Sequence, residues 1–192
     1  ESASGQQNDL LEANIIHTND VHGRIVEEKG VIGDAKLAAV IEEERKNNPS
    51  TLVVDAGDAF QGLPISNSSK GEERAKLLNE MGYDAMAVGN HEFDFGLDEA
   101  KKYKEILNFP LLSSNTYVNG ARLFEASTIV DKDKNVVGDE FVVIGVTTPE
   151  TATKTHPKNV QGVTFKDPIS EVNSVIDEVE ARAAAEGKTY KN

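Results

Sequence analysis

Short apolar runs of β-branched residues alternate along the chain with longer stretches whose apolar positions recur at helical spacing. Residues 11–18, centred on Ile15-Ile16, read as a strand, and residues 19–33, with three glycines, as a loop. Residues 34–47 read as a helix with Leu37, Val40 and Ile41 at i, i+3, i+4 and charges elsewhere. The run Thr51-Leu52-Val53-Val54-Asp55 predicts a buried strand, 71–82 a helix with Ala75, Leu78 and Met81 on one face, and 85–88 a further strand. A helix over 97–107 and a strand over 110–113 continue the alternation, which predicts an α/β fold with a mainly parallel sheet.

Two strand-like runs, 126–130 and 140–146, flank a turn rich in Asp, Lys and Asn and predict a hairpin. Asp167-Pro168 then opens a helix, as an N-cap followed by proline at the first helical position. Ile169, Val172, Val175, Ile176 and Val179 supply its apolar face, and it gives way at Gly187. The next element of the alternation should be a strand, so the pattern predicts a domain, residues 11–192, that continues downstream. Residues 1–10 are small and polar and read as a disordered lead.

Composition narrows the function classes. With 192 residues, 38% of them apolar and 28% charged, the chain has the make-up of one globular domain. A net charge of -13 argues against a nucleic-acid partner, which calls for a basic face. Small phosphates remain open to an acidic protein when metal ions supply the positive charge locally. The absence of cysteine excludes disulfides, thiolate zinc sites and a cysteine nucleophile. No stretch approaches the roughly 20 apolar residues of a transmembrane segment.

Three of the predicted strands run directly into short polar segments: Asn19-Asp20-Val21-His22-Gly23, Asp55-Ala56-Gly57-Asp58 and Gly89-Asn90-His91-Glu92-Phe93-Asp94. Ligands of open α/β sheets bind beyond the carboxyl ends of strands, so the three segments are expected to converge. If the strand persists through Asp20 and His22, their side chains share one side, and a carboxylate with an imidazole suits Zn²⁺, Mn²⁺ or iron. Asp58 offers two oxygens able to bridge two ions, Gly57 permits close approach of the backbone, and Asn90 offers a neutral amide oxygen for a second ion. Asp94, three residues after His91, is placed to fix its tautomer and favour its protonated form. Two ions about 3.5–4 Å apart would bind phosphate oxygens and activate hydroxide for in-line attack. Each segment alone also reads as a polar loop or a capped turn; it is the ordered set of three at strand ends that points to metal chemistry.

These blocks resemble the first three signatures of the calcineurin-like metallophosphoesterases. His17-Thr-Asn-Asp-Val-His-Gly-Arg24 and Val88-Gly-Asn-His-Glu-Phe-Asp-Phe-Gly96 are similar to the 5'-nucleotidase branch, with its ecto-5'-nucleotidases and periplasmic UDP-sugar hydrolases. Residues 55–69 and Gly145-Val-Thr-Thr-Pro-Glu150 look closest to the cell-wall nucleotidases of Gram-positive bacteria, the adenosine synthases. The resemblance runs from about Asn14 to the end. It implies a sandwich of mainly parallel sheet with flanking helices. It also implies two divalent ions, with Asp20, His22 and Asp58 as ligands, Asp58 bridging, and Asn90 on the second ion. In the same way it implies that His91 is catalytic and paired with Asp94, and that Asn115 lies near the substrate. The implied reaction is hydrolysis of nucleoside 5'-phosphates (AMP, with ADP and ATP open) to nucleoside and phosphate, in a secreted or cell-wall protein. Sister activities on 2',3'-cyclic nucleotides or UDP-sugars are the alternatives within the enzyme class.

The family's further ligand blocks, one of them containing Gly-His, do not occur here, and His156 in Thr-His-Pro-Lys matches neither. His17 reads as structural. The chain is therefore expected to hold about half of the ligand set, with the C-terminal remainder of the protein as its partner. A surface interaction module with an incomplete site is the non-enzyme alternative.

Overall fold

The computed structural model describes residues 12–23, 25–30, 32–62, 69 and 71–192. The expected lead 1–10, Leu11 at the start of the first predicted strand, and most of the 63–70 stretch lie outside them.

A four-stranded sheet of β1 (Asn14–Thr18), β2 (Thr51–Asp55), β3 (Ala85–Ala87) and β4 (Leu111–Leu112), in that order, carries the amino-terminal half. All three pairings are parallel, with Thr18 opposite Asp55, Asp55 opposite Met86 and Ala87 opposite Leu112. The connections run through α1 (Asp34–Asn47), α2 (Glu72–Met81) and α3 (Leu97–Ile106), as the alternation predicts. Gly71 and Gly82, both in the left-handed region with φ 82° and 71°, bound α2. Glycine at these two places is the residue that adopts this conformation at least cost.

The core lies between the sheet and these helices. Ile41, Ala75, Leu78, Met81, Ala100 and Tyr103 from the helices meet Val53, Met86 and Leu111 from the strands, and Phe60 stacks on Tyr103 at 4.3 Å between ring centroids. The predicted face of α2 is buried throughout. That of α1 differs from expectation at one position: Ile41 is buried and Leu37 packs on the core, but Val40 is 43% exposed and Ala38 packs there instead.

After β4 the chain builds two small antiparallel sheets. One is β6-β5-β9, from β5 (Thr116–Val118), β6 (Ala121–Arg122) and β9 (Val163–Phe165). None of its strands was apparent in the sequence, because two or three residues are too few to show alternation. The other is the expected hairpin, β7 (Ser127–Val130) with β8 (Phe141–Ile144). Its inner end joins the main sheet: Ser113 N–H donates to Glu125 O (2.9 Å) and Ser114 N–H to Gly145 O (2.8 Å). Gly145 is required there, because a Cβ would clash with the carbonyl of Leu112.

The short helix α4 (Thr151–Lys154) and a 3₁₀ turn (Pro157–Val160) lead to β9, and α5 (Pro168–Ala185) closes the chain. Asp167 caps α5 as predicted, its Oδ2 accepting from Ser170 N at 2.9 Å. Its buried face is Val175, Val179 and Ala183, four residues apart, while Ile169 is 74% exposed and Ile176 is exposed as well. The expected five-residue stripe is thus too wide: only the i, i+4 row is fully buried, while Glu171 and Glu178 beside it meet Tyr117 and Arg122.

Candidate metal centre

Each strand of the parallel sheet ends at the same edge, and three of the segments that follow converge. The extended course expected through Asp20 and His22 does not occur. Both residues are left-handed, with φ 51° and 50°, and so is Asp58 with φ 57°. This region is uncommon outside glycine and is held in place here by tertiary hydrogen bonds. Asp20 N–H donates to Gly57 O (3.1 Å), His22 N–H to Asp58 O (3.0 Å) and Gly23 N–H to Ala59 O (2.9 Å), so the two loops remain zipped beyond the end of the sheet. Gly57 permits close approach, but to the third loop: a Cβ on it would lie 2.6 Å from Gly89 N. Gly89 in turn has no room for a Cβ beside the Asp58 carboxylate.

The third loop folds as a 3₁₀ turn, Asn90–Phe93, opened by the half-buried Asn90. Its backbone points His91 N–H at Asp58 Oδ1 (2.8 Å). The result is a cluster in which His22, Asp58 and His91 each offer a ligand atom within 4.8 Å of the others. Asp20 Oδ1 stands 3.7 Å from His22 Nε2, and its Oδ2 accepts from Asn19 Nδ2 at 2.8 Å. His22 Nδ1 meets Gln61 O at 3.0 Å and His91 Nδ1 meets Asp94 Oδ2 at 2.6 Å, which leaves Nε2 of each ring for the cluster. The rings lie edge to face, 4.8 Å apart.

The electrostatics follow from this crowding. Burial and the neighbouring Asp20 carboxyl push Asp58 above the usual carboxylate range, against the His91 N–H that favours its charge. Asn19, by its hydrogen bond, leads in holding Asp20 below that range. Desolvation alone would lower His91. The hydrogen bond and charge of Asp94, followed by the charges of Asp58 and Glu92, outweigh it and raise His91 above its ordinary value. Asp94 is itself held, Oδ1 by Thr155 Oγ1 (2.9 Å) and its carbonyl by Asn159 Nδ2 (3.0 Å). His22 Nε2 with the carboxylates of Asp58 and Asp20, the other His22 nitrogen being fixed by a carbonyl, is a donor set that fits a divalent transition ion, and His91 stands beside it.

Glu92 is the organising residue that the sequence reading named but gave no role. Its side chain is wholly buried, and its carboxylate accepts from Asp58 N (2.8 Å), Ala59 N (2.8 Å) and Gly89 N (2.7 Å). One carboxylate thereby ties the second loop to the third. Burial, then the charge of Asp58, pushes its pKa up to about 8 against the N–H groups of Asp58 and Ala59. Each orphaned buried donor costs about 1–3 kcal/mol. Glu92→Ala is therefore expected to lower the melting temperature by at least about 5 °C, and Glu92→Gln, which retains one acceptor oxygen, by less. Thermal unfolding of the two variants side by side checks this.

Behind the cluster, Thr18 Oγ1 donates to Asp55 Oδ2 (2.5 Å) and is met by Tyr83 OH (2.8 Å), while Gly57 N–H donates to Asp55 Oδ1 (2.7 Å). Burial raises Asp55 from its ordinary 3.8 to about 6. Between these values the folded chain holds a proton that the unfolded chain has released, so stability falls as pH rises through that window. In chelator, urea unfolding is expected to show this decline in the wild type and a flatter profile in Asp55→Asn.

Asn115 is fully buried, and its amide is consumed by protein: Nδ2 donates to Thr147 O (2.7 Å) and Lys166 O (3.0 Å), and Oδ1 accepts from Thr147 N (2.9 Å). Thr147 Oγ1 donates onward to Val88 O (2.7 Å), the residue before Gly89. His17 is exposed on β1, and His156 caps the Pro157–Val160 turn through Nδ1, so neither belongs to the cluster.

A parallel α/β sheet whose strand ends gather imidazoles and carboxylates around one point is the architecture of a metal-dependent hydrolase. The chain belongs to the calcineurin-like phosphoesterases, whose family description matches residues 13–189. A 5'-nucleotidase of Vibrio cholerae is 40% identical over 175 residues, covering 88% of this chain and 31% of that protein. The Bos taurus 5'-nucleotidase is 36% identical, with 88% and 31% covered. Among solved structures, a 5'-nucleotidase precursor from Thermus thermophilus superposes with a TM-score of 0.74 at 30% identity, covering 88% of this chain and 35% of that one. The calcineurin-like phosphoesterase YfkN from Bacillus subtilis does so with a TM-score of 0.75 at 28% identity, covering 88% and 58%. The chain thus spans about a third of the length of the curated relatives it matches.

Proposed function

We propose that the protein carrying this chain hydrolyses nucleoside 5'-phosphates, AMP foremost with ADP and ATP as further substrates, to nucleoside and phosphate. The observation that carries this reading is the convergence of His22, Asp58 and His91 with Asp94 fixing His91, on a chain whose relatives are named 5'-nucleotidases. In this reading Asp20, His22, Asp58 and Asn90 would hold two divalent ions, Zn²⁺ or Mn²⁺ in type. Such ions supply positive charge to phosphoryl oxygens and acidify water.

The chain's own residues supply the rest. Asp94 accepts from His91 Nδ1–H and its charge favours the imidazolium, in which Nε2 also carries a proton and faces the cluster as a donor to a phosphoryl oxygen or to the departing ribose oxygen. Glu92 holds Asp58 and the Gly89–His91 turn in register through three backbone N–H groups. Asn115 sits one step behind the substrate, fixing Thr147 against the carbonyl of Val88. The downstream part of the protein completes the ligand set and grips the nucleoside. We place the protein outside the cytoplasm, as the name of a relative from snake venom, 37% identical, supports. No helix among the described residues is long and apolar enough to cross a membrane.

The test is phosphate release from AMP with Mn²⁺ and with EDTA, run on this chain and on the complete protein. Release by the complete protein that EDTA abolishes is the expected result. No release from AMP, ADP or ATP, with turnover of a 2',3'-cyclic nucleotide or a UDP-sugar, would transfer the assignment to that sister activity. Failure of all substrates together with failure to bind metal would favour an interaction module.

A further inference from the structure

The connection between β7 and β8 gathers a second set of oxygen donors. Asp131, Asp139 and Glu140 each present a carboxylate oxygen within 4.8 Å of the other two. Asp139 is wholly buried. Its Oδ2 receives only a long hydrogen bond from Ser50 Oγ (3.4 Å), and its Oδ1 has no partner at all. A carboxylate taken out of water with free lone pairs is costly unless a positive charge reaches it. Lys132 Nζ is committed to Asp84 Oδ1 at 2.7 Å, and among the described residues no lysine or arginine forms an ion pair with Asp139. Desolvation first, then the charges of Asp139 and Glu140, hold Asp131 above its ordinary range against the charge of Lys134.

We propose that Asp131, Asp139 and Glu140 form a second cation site, taking a hard divalent ion of the calcium type. All the donors are oxygens, which selects against zinc and copper. Asp131 is exposed and Glu140 partly so, which leaves room for water to complete the coordination. The site lies away from the candidate metal centre. Ser50, which touches Asp139, immediately precedes β2, while Asp58 follows its other end. A bound ion would tie the 131–140 connection to the start of β2 and act on stability, without touching substrate.

Calcium titrated calorimetrically into the wild-type chain at pH 7.5 is expected to show a binding event that Asp131→Asn/Glu140→Gln weakens at least tenfold. Mn²⁺ binding at the His22–Asp58–His91 cluster should survive that change. Calcium at a hundred times its dissociation constant should raise the wild-type melting temperature by about 5 °C and leave the double variant unmoved. Should the double variant fail to fold, Asp131→Asn alone, altering an exposed side chain, carries the same comparison. Equal calcium affinity in wild type and variant, or no calcium effect in the wild type because two of the carboxyls share a proton instead, overturns the proposal.

Discussion

Asp58→Asn in the complete protein is expected to lower phosphate release from AMP by about 10³-fold or more. The substitution isolates charge from shape. The asparagine carbonyl can still accept His91 N–H, which now reaches Asp58 Oδ1 at 2.8 Å, and the backbone N–H remains bound to Glu92 at 2.8 Å. The left-handed φ of 57° is also one that asparagine tolerates. What disappears is the negative charge between His22 and His91 and the second anionic oxygen for a shared ion. Metal affinity should therefore fall with activity while the melting temperature of the metal-free chain holds or rises, since burial already makes ionised Asp58 unfavourable. Wild-type turnover in this variant would sink the proposed centre.

The second large effect is expected at His91. His91→Gln should reduce kcat by about 10²–10⁴-fold, the range of a lost general acid. Asp94→Asn should act more gently and diagnostically. Asp94 is the main reason His91 holds its proton beyond its ordinary range, through both hydrogen bond and charge. If protonated His91 is the active form, activity declines as pH rises through its pKa. Removing the Asp94 charge lowers that pKa, so the decline should begin at lower pH. A full pH profile of kcat for wild type and Asp94→Asn checks the direction; an unchanged alkaline limb would separate Asp94 from His91's proton.

The elements that were legible in the sequence are those with a strong local signal. Helix 34–47 and strand 51–55 occur with the predicted bounds, because each is long enough for its periodicity to show and is stopped by its neighbours. The three polar segments were legible for a different reason: strands of two to five residues in an alternating α/β chain all deliver their ends to one edge, and chemistry collects there. The same local reading overestimated the apolar faces of α1 and α5, since Val40, Ile169 and Ile176 obey the helical period yet stay exposed.

Asp20 and His22 show where sequence reasoning reached the right neighbours by the wrong route. Strand alternation predicted that they share a side, but both are left-handed, and it is Gly57 and Asp58, more than thirty residues on, that hold them so. Thr155 on Asp94 and Thr147 beneath Val88 left no trace in the sequence at all.

The chain's own order of residues thus determined the alternating α/β plan, the parallel sheet and the residues that its strand ends would deliver, because periodicity and turn chemistry act over a few residues. Tertiary structure alone decided which atoms face one another. The zipped loops, the three N–H groups on buried Glu92, the clamp of Asn115 and the stranded carboxylate of Asp139 depend on segments up to 89 residues apart. Such contacts satisfy buried polar groups rather than local preference, and no short stretch of sequence records them.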